Sequence, residues 1–178
     1  LRDSGARGVI VSNRQLAEKL LPATHKAPAV EFVIAMDPPE LSQELSFQVL
    51  HLDDVIEQGR AGHQNIIEMA RQVDAEKTAC IIYTSGTGGL PKGVMLSHRN
   101  ILSNCEGAID RLAELGLENE VFLSFLPLSH SYEHMAGQFF PMTIGAEIYY
   151  AQGAETLAAN MVEARPTIMT AVPRLYET

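Results

Sequence analysis

The stretch YTSGTGGLPKGV, at residues 83–94, combines the residue types that best suit phosphate chemistry. Its glycines, Gly93 among them, allow the backbone to turn sharply and to approach a ligand closely. Successive exposed N–H groups in such a turn form a concave anion site, while hydroxyl groups and one lysine add further donors. We therefore predict a cradle for a polyphosphate. The residues expected to line it are Thr84, Ser85, Gly86, Thr87, Gly88, Gly89 and Lys92.

Three familiar loops do not fit the spacing of this stretch. A Walker A loop needs a hydroxyl residue after its lysine, where this chain has Gly93. A Rossmann loop that began at Gly86 would need its third glycine at the position of Pro91. The nucleophile elbow, G-x-S-x-G, is absent. The stretch therefore needs another explanation.

The same twelve residues resemble the phosphate-binding signature of the adenylate-forming superfamily, which includes acyl-CoA synthetases, luciferases and peptide-synthetase adenylation domains. Eleven of the 12 positions agree, and Gly88 stands where the family usually has threonine. The resemblance implies that the stretch holds the β- and γ-phosphates of ATP and that Thr87 also contacts Mg²⁺. Because the N–H of Gly88 remains, we expect an altered nucleotide affinity and not a lost site.

A second stretch, FLPLSHSYEHMAG at residues 125–137, resembles the Leu-Pro-Leu-x-His segment of the long-chain acyl-CoA synthetases. The resemblance implies that His130 is catalytic, close to the reacting carboxylate and the α-phosphate, where a histidine donor suits the charge that develops on phosphorus. The alternative is a histidine at a strand end that binds only backbone.

The same stretch also matches H-x-x-E-H, a zinc-protease signature, through His130, Glu133 and His134. That interpretation requires one helix through both histidines and a third ligand. Pro127 and the apolar run before it place His130 at a junction between strand and helix instead.

Two further segments support the resemblance. A Ser-His-x-Asn pattern at residues 97–100 opens the next helix, and we interpret His98 as a capping or packing residue. The run TIMTAVPRLYE at residues 167–177 is similar to a strand and helix start in long-chain acyl-CoA synthetases. In that run we expect Arg174 to be structural.

The resemblance implies a ligase that uses ATP, Mg²⁺ and CoA to convert a carboxylic acid, in particular a long-chain fatty acid, to acyl-AMP and then to acyl-CoA. Another carboxylate, or transfer to a carrier-protein thiol, remains an alternative, as does a binding module without activity. We expect residues 1–178 to be part of the N-terminal AMP-binding domain, without the adenine- and ribose-binding part or the C-terminal domain. Such a fragment is expected to be inactive alone.

The composition limits the partners and the cellular compartment that we expect. The net charge is −9, without a basic stripe, which argues against a nucleic-acid partner. Two cysteines in apolar or helical contexts, Cys80 and Cys105, predict reduced thiols and a cytoplasmic protein. No apolar run approaches the roughly 20 residues that span a bilayer. Peripheral membrane association and the oligomeric state stay open.

Alternating strand and helix patterns predict an α/β fold with a largely parallel sheet flanked by helices. A continuous apolar run predicts that strand 77–85 is covered on both faces. The other predicted strands are 7–13, 31–39, 47–55, 93–98, 120–130, 147–152 and 167–172. The predicted helices are 14–22, which ends at Pro22, 65–73, 98–116, 131–146, 155–166 and the start of one at 173.

Overall fold

The computed structural model describes residues 1–24, 26–37, 47–62, 64–85 and 89–173. The chain divides into two units, Leu1–Gln72 and Val73–Thr178. In the first unit, three strands pair in parallel, in the order in which they follow along the chain. Its elements are β1 (Gly8–Val11), α1 (Arg14–Thr24), β2 (Phe32–Ala35), β3 (Gln48–His51), α2 (Leu52–Ala61) and α3 (Ile66–Arg71).

The first unit has an apolar core between its sheet and α1. Alternate residues of the strands, such as Val33 and Ala35, are buried with Ala17 of α1 and with Phe47. At the edge of this core, Arg7 makes two hydrogen bonds to the Glu31 carboxylate, at 2.8 and 2.7 Å. These hydrogen bonds lower the pKa of Glu31, so the pair stabilises the fold at neutral pH and loses this effect as the carboxylate is protonated in acid.

Two predicted boundaries in this unit were wrong. Helix α1 continues past Pro22 to Thr24, although proline lacks the N–H that would bind the carbonyl of Glu18. The predicted strand 47–55 ends at His51, and residues 52–55 form the first turn of α2. The His51 side chain accepts a hydrogen bond from the Asp53 N–H at 3.2 Å and so caps this helix. Part of the predicted strand 31–39, including Pro38 and Pro39, lies outside the described residues.

The second unit contains a β-hairpin and a three-stranded parallel sheet, in which strand Val121–Ser124 lies between strands Glu147–Tyr150 and Ile168–Met169. A helical segment of three parts, with a π-helical turn at its centre, begins at Ser131. The elements in chain order are β4 (Thr78–Ser85), β5 (Pro91–Ser97), α4 (His98–Leu112), a 3₁₀ turn (Ala113–Leu115), β6 (Val121–Ser124), α5 (Ser131–Glu133), the π-helical turn (His134–Phe139), α6 (Phe140–Thr143), β7 (Glu147–Tyr150), α7 (Leu157–Ala164) and β8 (Ile168–Met169).

The core of the second unit lies where β6 meets the helices around it. Phe122 and Leu123 of β6 are both 2% exposed. The ring of Phe122 meets that of Phe140 edge to face, with the ring centroids 6.0 Å apart. Ile101 and Cys105 bury one side of α4. Parallel sheets with helices packed on them confirm the predicted α/β fold.

Strand β4 differs from its prediction. It pairs antiparallel with β5, and most of its side chains are exposed, with Ile82 the buried exception. A continuous apolar run is typical of a strand covered on both faces, but the run itself does not determine the direction of the partner strand. The prediction of a doubly covered parallel strand was therefore wrong for β4.

Helix α4 begins with a capping box. The Ser97 side chain accepts a hydrogen bond from the Asn100 N–H, and the Asn100 side chain accepts one from the Ser97 N–H at 2.9 Å. Ser97, and not His98, is therefore the cap, while His98 is half-buried and donates its backbone N–H to the Lys77 carbonyl. The Ser-His-x-Asn pattern thus has a structural explanation.

The two cysteines, Cys80 and Cys105, are both free thiols. Among the described residues, no helix is both long and apolar enough to cross a bilayer.

Loss of the Ser97 hydroxyl should destabilise the protein by about 0.5–2 kcal/mol, because an N-terminal N–H of α4 loses its acceptor. The measurement is urea unfolding of the Ser97→Ala variant. Ser103→Ala is the matched control in the same helix, where alanine should be neutral or slightly stabilising. Equal losses in the two variants would contradict the capping role.

Candidate nucleotide site

The β4–β5 hairpin presents two of the predicted phosphate contacts together. Thr84 pairs directly with Lys92, and Ser85 pairs with Pro91 next to the loop. Directly paired residues of antiparallel strands point to the same face, with Cβ atoms about 4.5–5.5 Å apart. Thr84 and Lys92 are both exposed residues. The hairpin thus places a neutral donor and a cation beside the mouth of the loop.

The tip of the loop is described in part. Gly86, Thr87 and Gly88 lie outside the described residues, so their predicted phosphate contacts and the Mg²⁺ contact of Thr87 stay predictions. Gly89 has a φ of +84°, with open space where a Cβ would stand. A side chain there would be strained by the backbone alone, and this fits a glycine that turns the chain.

Gly93 has a different role from the one predicted. It lies within β5 and pairs with Tyr83. A Cβ at position 93 would lie 2.9 Å from Ile81 Cγ2 and 3.2 Å from Tyr83 Cζ. The absent side chain therefore makes room for the Tyr83 ring across the hairpin, and Gly93 does not form a turn.

His130 caps the helix that follows β6. The backbone N–H of His130 donates to the Pro127 carbonyl at 2.9 Å. The ring Nδ1 of His130 accepts a hydrogen bond from the backbone N–H of Tyr132 at 3.2 Å. A neutral imidazole that accepts at Nδ1 carries its proton on Nε2. The exposed ring therefore offers Nε2–H as a donor, which is a suitable group for an anionic oxygen. The hydrogen bonds described for His130 all lie within residues 127–134.

A buried carboxylate lies one helical turn from His130. Glu133 is 0% exposed and accepts hydrogen bonds from the hydroxyls of Ser124 and Thr170, the first with a donor–acceptor distance of 2.6 Å. Ser124 is the last residue of β6, and Thr170 directly follows β8. Glu133 also lies in the first helical turn, where the helix dipole favours a negative charge. One side chain thus joins two strand ends to a helix start.

The π-helical turn accommodates this carboxylate. The N–H of Phe140 binds the carbonyl of Met135, five residues earlier. Gly137 is buried there, and a Cβ on it would come closer than 3.0 Å to Oε1 of Glu133. The carboxylate therefore occupies the space that a side chain at position 137 would need. Sequence reasoning treated Glu133 only as part of a metal motif and missed this role.

The His134 side chain contacts the segment before His130 and the ring of Phe139. Its Nδ1 lies 3.1 Å from the Leu128 carbonyl and so carries a proton. The ring meets Phe139 edge to face at 4.9 Å. Its Nε2 is buried without a hydrogen-bond partner among the described residues. His134 therefore fixes the turn at Leu128, just before His130.

The amino-acid sequence matches the model of a known protein family. The description of the matching model is AMP-binding enzyme, and the match extends over residues 1–178. The chain belongs to the AMP-binding enzyme family.

Curated members of the family cover most of this chain. It is 34% identical over 173 residues to the human long-chain-fatty-acid–CoA ligase ACSBG2, across 95% of this chain and 26% of that protein. It is 30% identical over 188 residues to the chloroplastic long-chain-fatty-acid–[acyl-carrier-protein] ligase AEE15 of Arabidopsis thaliana. That match covers 99% of this chain and 25% of that protein. The chain thus spans about a quarter of the length of these relatives.

A solved structure supports the fold of this AMP-binding chain. The anthranilate CoA ligase AuaEII, in complex with anthranoyl-AMP, matches with a TM-score of 0.79 at 23% identity. The match covers 99% of this chain and 32% of that one.

The zinc-protease alternative does not fit the geometry of residues 130–134. Its helix would have to run through both histidines, but His130 precedes the helix as its cap. The Glu133 carboxylate, which would have to face a metal-bound water, is turned into the core toward Ser124. Within the described part of the chain, no group of three or more His, Cys, Asp or Glu side chains could hold a metal ion.

Substitution Gly137→Ala should destabilise the protein by about 1–3 kcal/mol, because the new methyl group overlaps the Glu133 carboxylate. Gly107→Ala is the matched control, since a Cβ on this α4 glycine meets nothing within 4 Å. The control should be stabilised by up to about 1 kcal/mol through helix propensity. Urea unfolding of both variants measures the difference.

A double-mutant cycle tests whether the destabilisation by Gly137→Ala arises from contact with Glu133. Glu133→Ala alone should cost about 2–5 kcal/mol, because it empties a buried site and leaves two hydroxyls without their acceptor. In that background Gly137→Ala should cost about 1–2 kcal/mol less than in the wild type. Strictly additive losses would show that the overlap at position 137 does not involve Glu133.

Proposed function

We propose that the full-length protein activates a carboxylic acid with ATP and transfers the acyl group to a thiol. The observation that carries the proposal is the hairpin geometry, which sets Thr84 opposite Lys92 at the mouth of a glycine-rich loop. Membership of the AMP-binding enzyme family supports the same reaction class. Since the chain spans about a quarter of the length of its relatives, we propose the activity for the full-length protein and not for residues 1–178 alone.

The proposed reaction has two steps. In the first, a carboxylate oxygen attacks the α-phosphorus of ATP, the bond between the α-phosphorus and the bridging oxygen breaks, and pyrophosphate leaves. In the second, a thiol attacks the acyl carbon, gives up its proton and displaces AMP. The first step is an in-line displacement at phosphorus, so positioning and neutralisation of charge dominate its catalysis.

The residues of this chain would serve the first step in two places. The hydroxyls of Thr84 and Ser85, the amine of Lys92 and the backbone of Gly86, Thr87, Gly88 and Gly89 would hold the β- and γ-phosphates. Mg²⁺, in contact with Thr87, would neutralise charge on these phosphates when bound. His130 would donate Nε2–H to an oxygen of the reacting α-phosphate, because its Nδ1 is already occupied by the Tyr132 N–H.

A long-chain fatty acid is the proposed substrate. The support is the name of the human relative, a long-chain-fatty-acid–CoA ligase, which is 34% identical over 95% of this chain. The same name favours CoA as the first candidate acceptor. The plant relative, an acyl-carrier-protein ligase at 30% identity, favours a carrier-protein thiol as the second candidate acceptor.

An exchange assay tests the function. The full-length protein is incubated with ATP, labelled pyrophosphate and a panel of carboxylic acids that includes fatty acids of graded length, short acids and aromatic acids. Exchange that depends on a long-chain acid supports the proposed substrate. Thioester formation with CoA or with a holo-carrier protein then distinguishes the two acceptors. Absence of exchange with every acid would contradict the proposal.

Substitution Lys92→Ala should lower the rate of exchange about 10²–10³-fold, as loss of one preorganised charge-stabilising donor does. Lys77→Ala is the matched control, because Lys77 is an exposed lysine just before β4, at the opposite end of the same hairpin. The control should keep the wild-type rate. A Lys92→Ala variant as active as the control would remove Lys92 from the phosphate site.

A further inference from the structure

The position of His130 depends on the short segment between β6 and the helix that follows it. The segment leaves β6 after Ser124, turns at Pro127 and enters the helix at Ser131. The hydrogen bonds described for His130 are local and shape this turn. The location of His130 relative to the sheet therefore depends on the contacts that anchor the two ends of the segment.

Both ends are anchored through Glu133. The carboxylate accepts a hydrogen bond from Ser124, the residue with which the segment leaves the sheet, and it lies three residues after His130 on the helix that the segment enters. Thr170, directly after the neighbouring strand β8, donates to the second carboxylate oxygen. One buried side chain thus links the start of the segment that carries His130 to the helix at its end.

The helix cannot shift against this anchor without displacing the carboxylate. Gly137, one turn further on, lies against Glu133 so closely that a methyl group would not fit between them. The N–H of His134 also binds the His130 carbonyl at 2.9 Å, which continues the hydrogen bonds of the helix back to the cap. Glu133 is fully buried, so it cannot itself contact a substrate in this conformation.

We propose that Glu133 is the positioning residue for His130 in the acid-activation reaction. This inference rests on the proposed function. The carboxylate holds the start of the helix at the carboxyl ends of β6 and β8, and thereby holds the His130 Nε2–H where the α-phosphate reacts. Small misplacements of such a group are costly, since an error of 1 Å can lower a rate by roughly 10²-fold.

The test compares Glu133→Gln with Glu114→Gln, the same change on an exposed carboxylate outside the site, in the full-length protein. Glutamine keeps the shape of glutamate but replaces one acceptor oxygen by an amide donor, so one of the two hydroxyl hydrogen bonds is lost or must be remade in the opposite direction. Glu133→Gln should lower kcat for ATP–pyrophosphate exchange about tenfold and change KM for ATP less than about twofold, because the phosphate loop is untouched. Glu114→Gln should match the wild type.

His130→Ala provides the decisive background. If Glu133 acts through His130, Glu133→Gln should reduce kcat in the wild type and have no further effect once His130 is removed. A kcat loss of the same factor in both backgrounds, an unchanged kcat in Glu133→Gln, or an unchanged kcat in His130→Ala would each overturn the positioning role.

A second variant and the activity of the wild type separate the possible outcomes. If Glu133→Gln does not fold, Thr170→Val, which removes one donor and keeps the side-chain shape, takes its place in the same cycle with the same expectations. A wild-type protein without exchange activity would overturn the proposed function together with this inference. An active wild type with independent effects at the two positions overturns the positioning role alone.

Discussion

A carboxylate remains stable in a protein interior only where hydrogen-bond donors meet its oxygens, and that requirement organises the second unit. Glu133 meets it with two hydroxyl groups, one at the end of β6 and one after β8. The two donors lie at the ends of different strands, so the carboxylate can bind both only where these strand ends are adjacent. The carboxyl edge of the parallel sheet, where α/β proteins usually bind ligands, is therefore built around a polar contact within an apolar core.

The hairpin is ordered by a different kind of interaction. Its two strands are fixed by backbone pairing, and most of their side chains are exposed. A slip of one residue would move Lys92 to the opposite face from Thr84. The bulge near Thr78 and the close fit of Tyr83 over Gly93 both restrict the register. The two parts of the candidate site thus depend on strand register in one case and on the hydrogen bonds of a buried carboxyl group in the other.

The sequence predicted those features that short patterns encode. The strands on either side of the glycine-rich stretch, the α4 helix with its Ser-His-x-Asn start and the alternation of strands and helices all follow from residues close together in the chain. The boundary between β3 and α2 was missed because a histidine side chain caps α2, although Asp53 and Asp54 gave a helix-start signal. The direction of β4 was missed because an apolar run is compatible with either kind of partner.

The role of Glu133 depends on distant partners. Its hydroxyl donors lie nine and 37 residues away in the chain, and neither has a sequence pattern that connects it to position 133. The local signals were a glutamate in a first helical turn and a glycine four residues later, and they also fit the metal motif. Only the fold separates a carboxylate turned inward from one that faces solvent.

Two close contacts in this unit have a consequence for divergence within the family. The space at Gly137 is filled by the Glu133 carboxylate, and the space at Gly93 is limited by Tyr83 and Ile81. Each glycine is thus constrained by the size of a particular neighbour. Homologues with a smaller residue at position 133 can accept alanine or serine at position 137, and a small residue at position 83 partly relieves the restriction at 93. Such positions should covary as pairs.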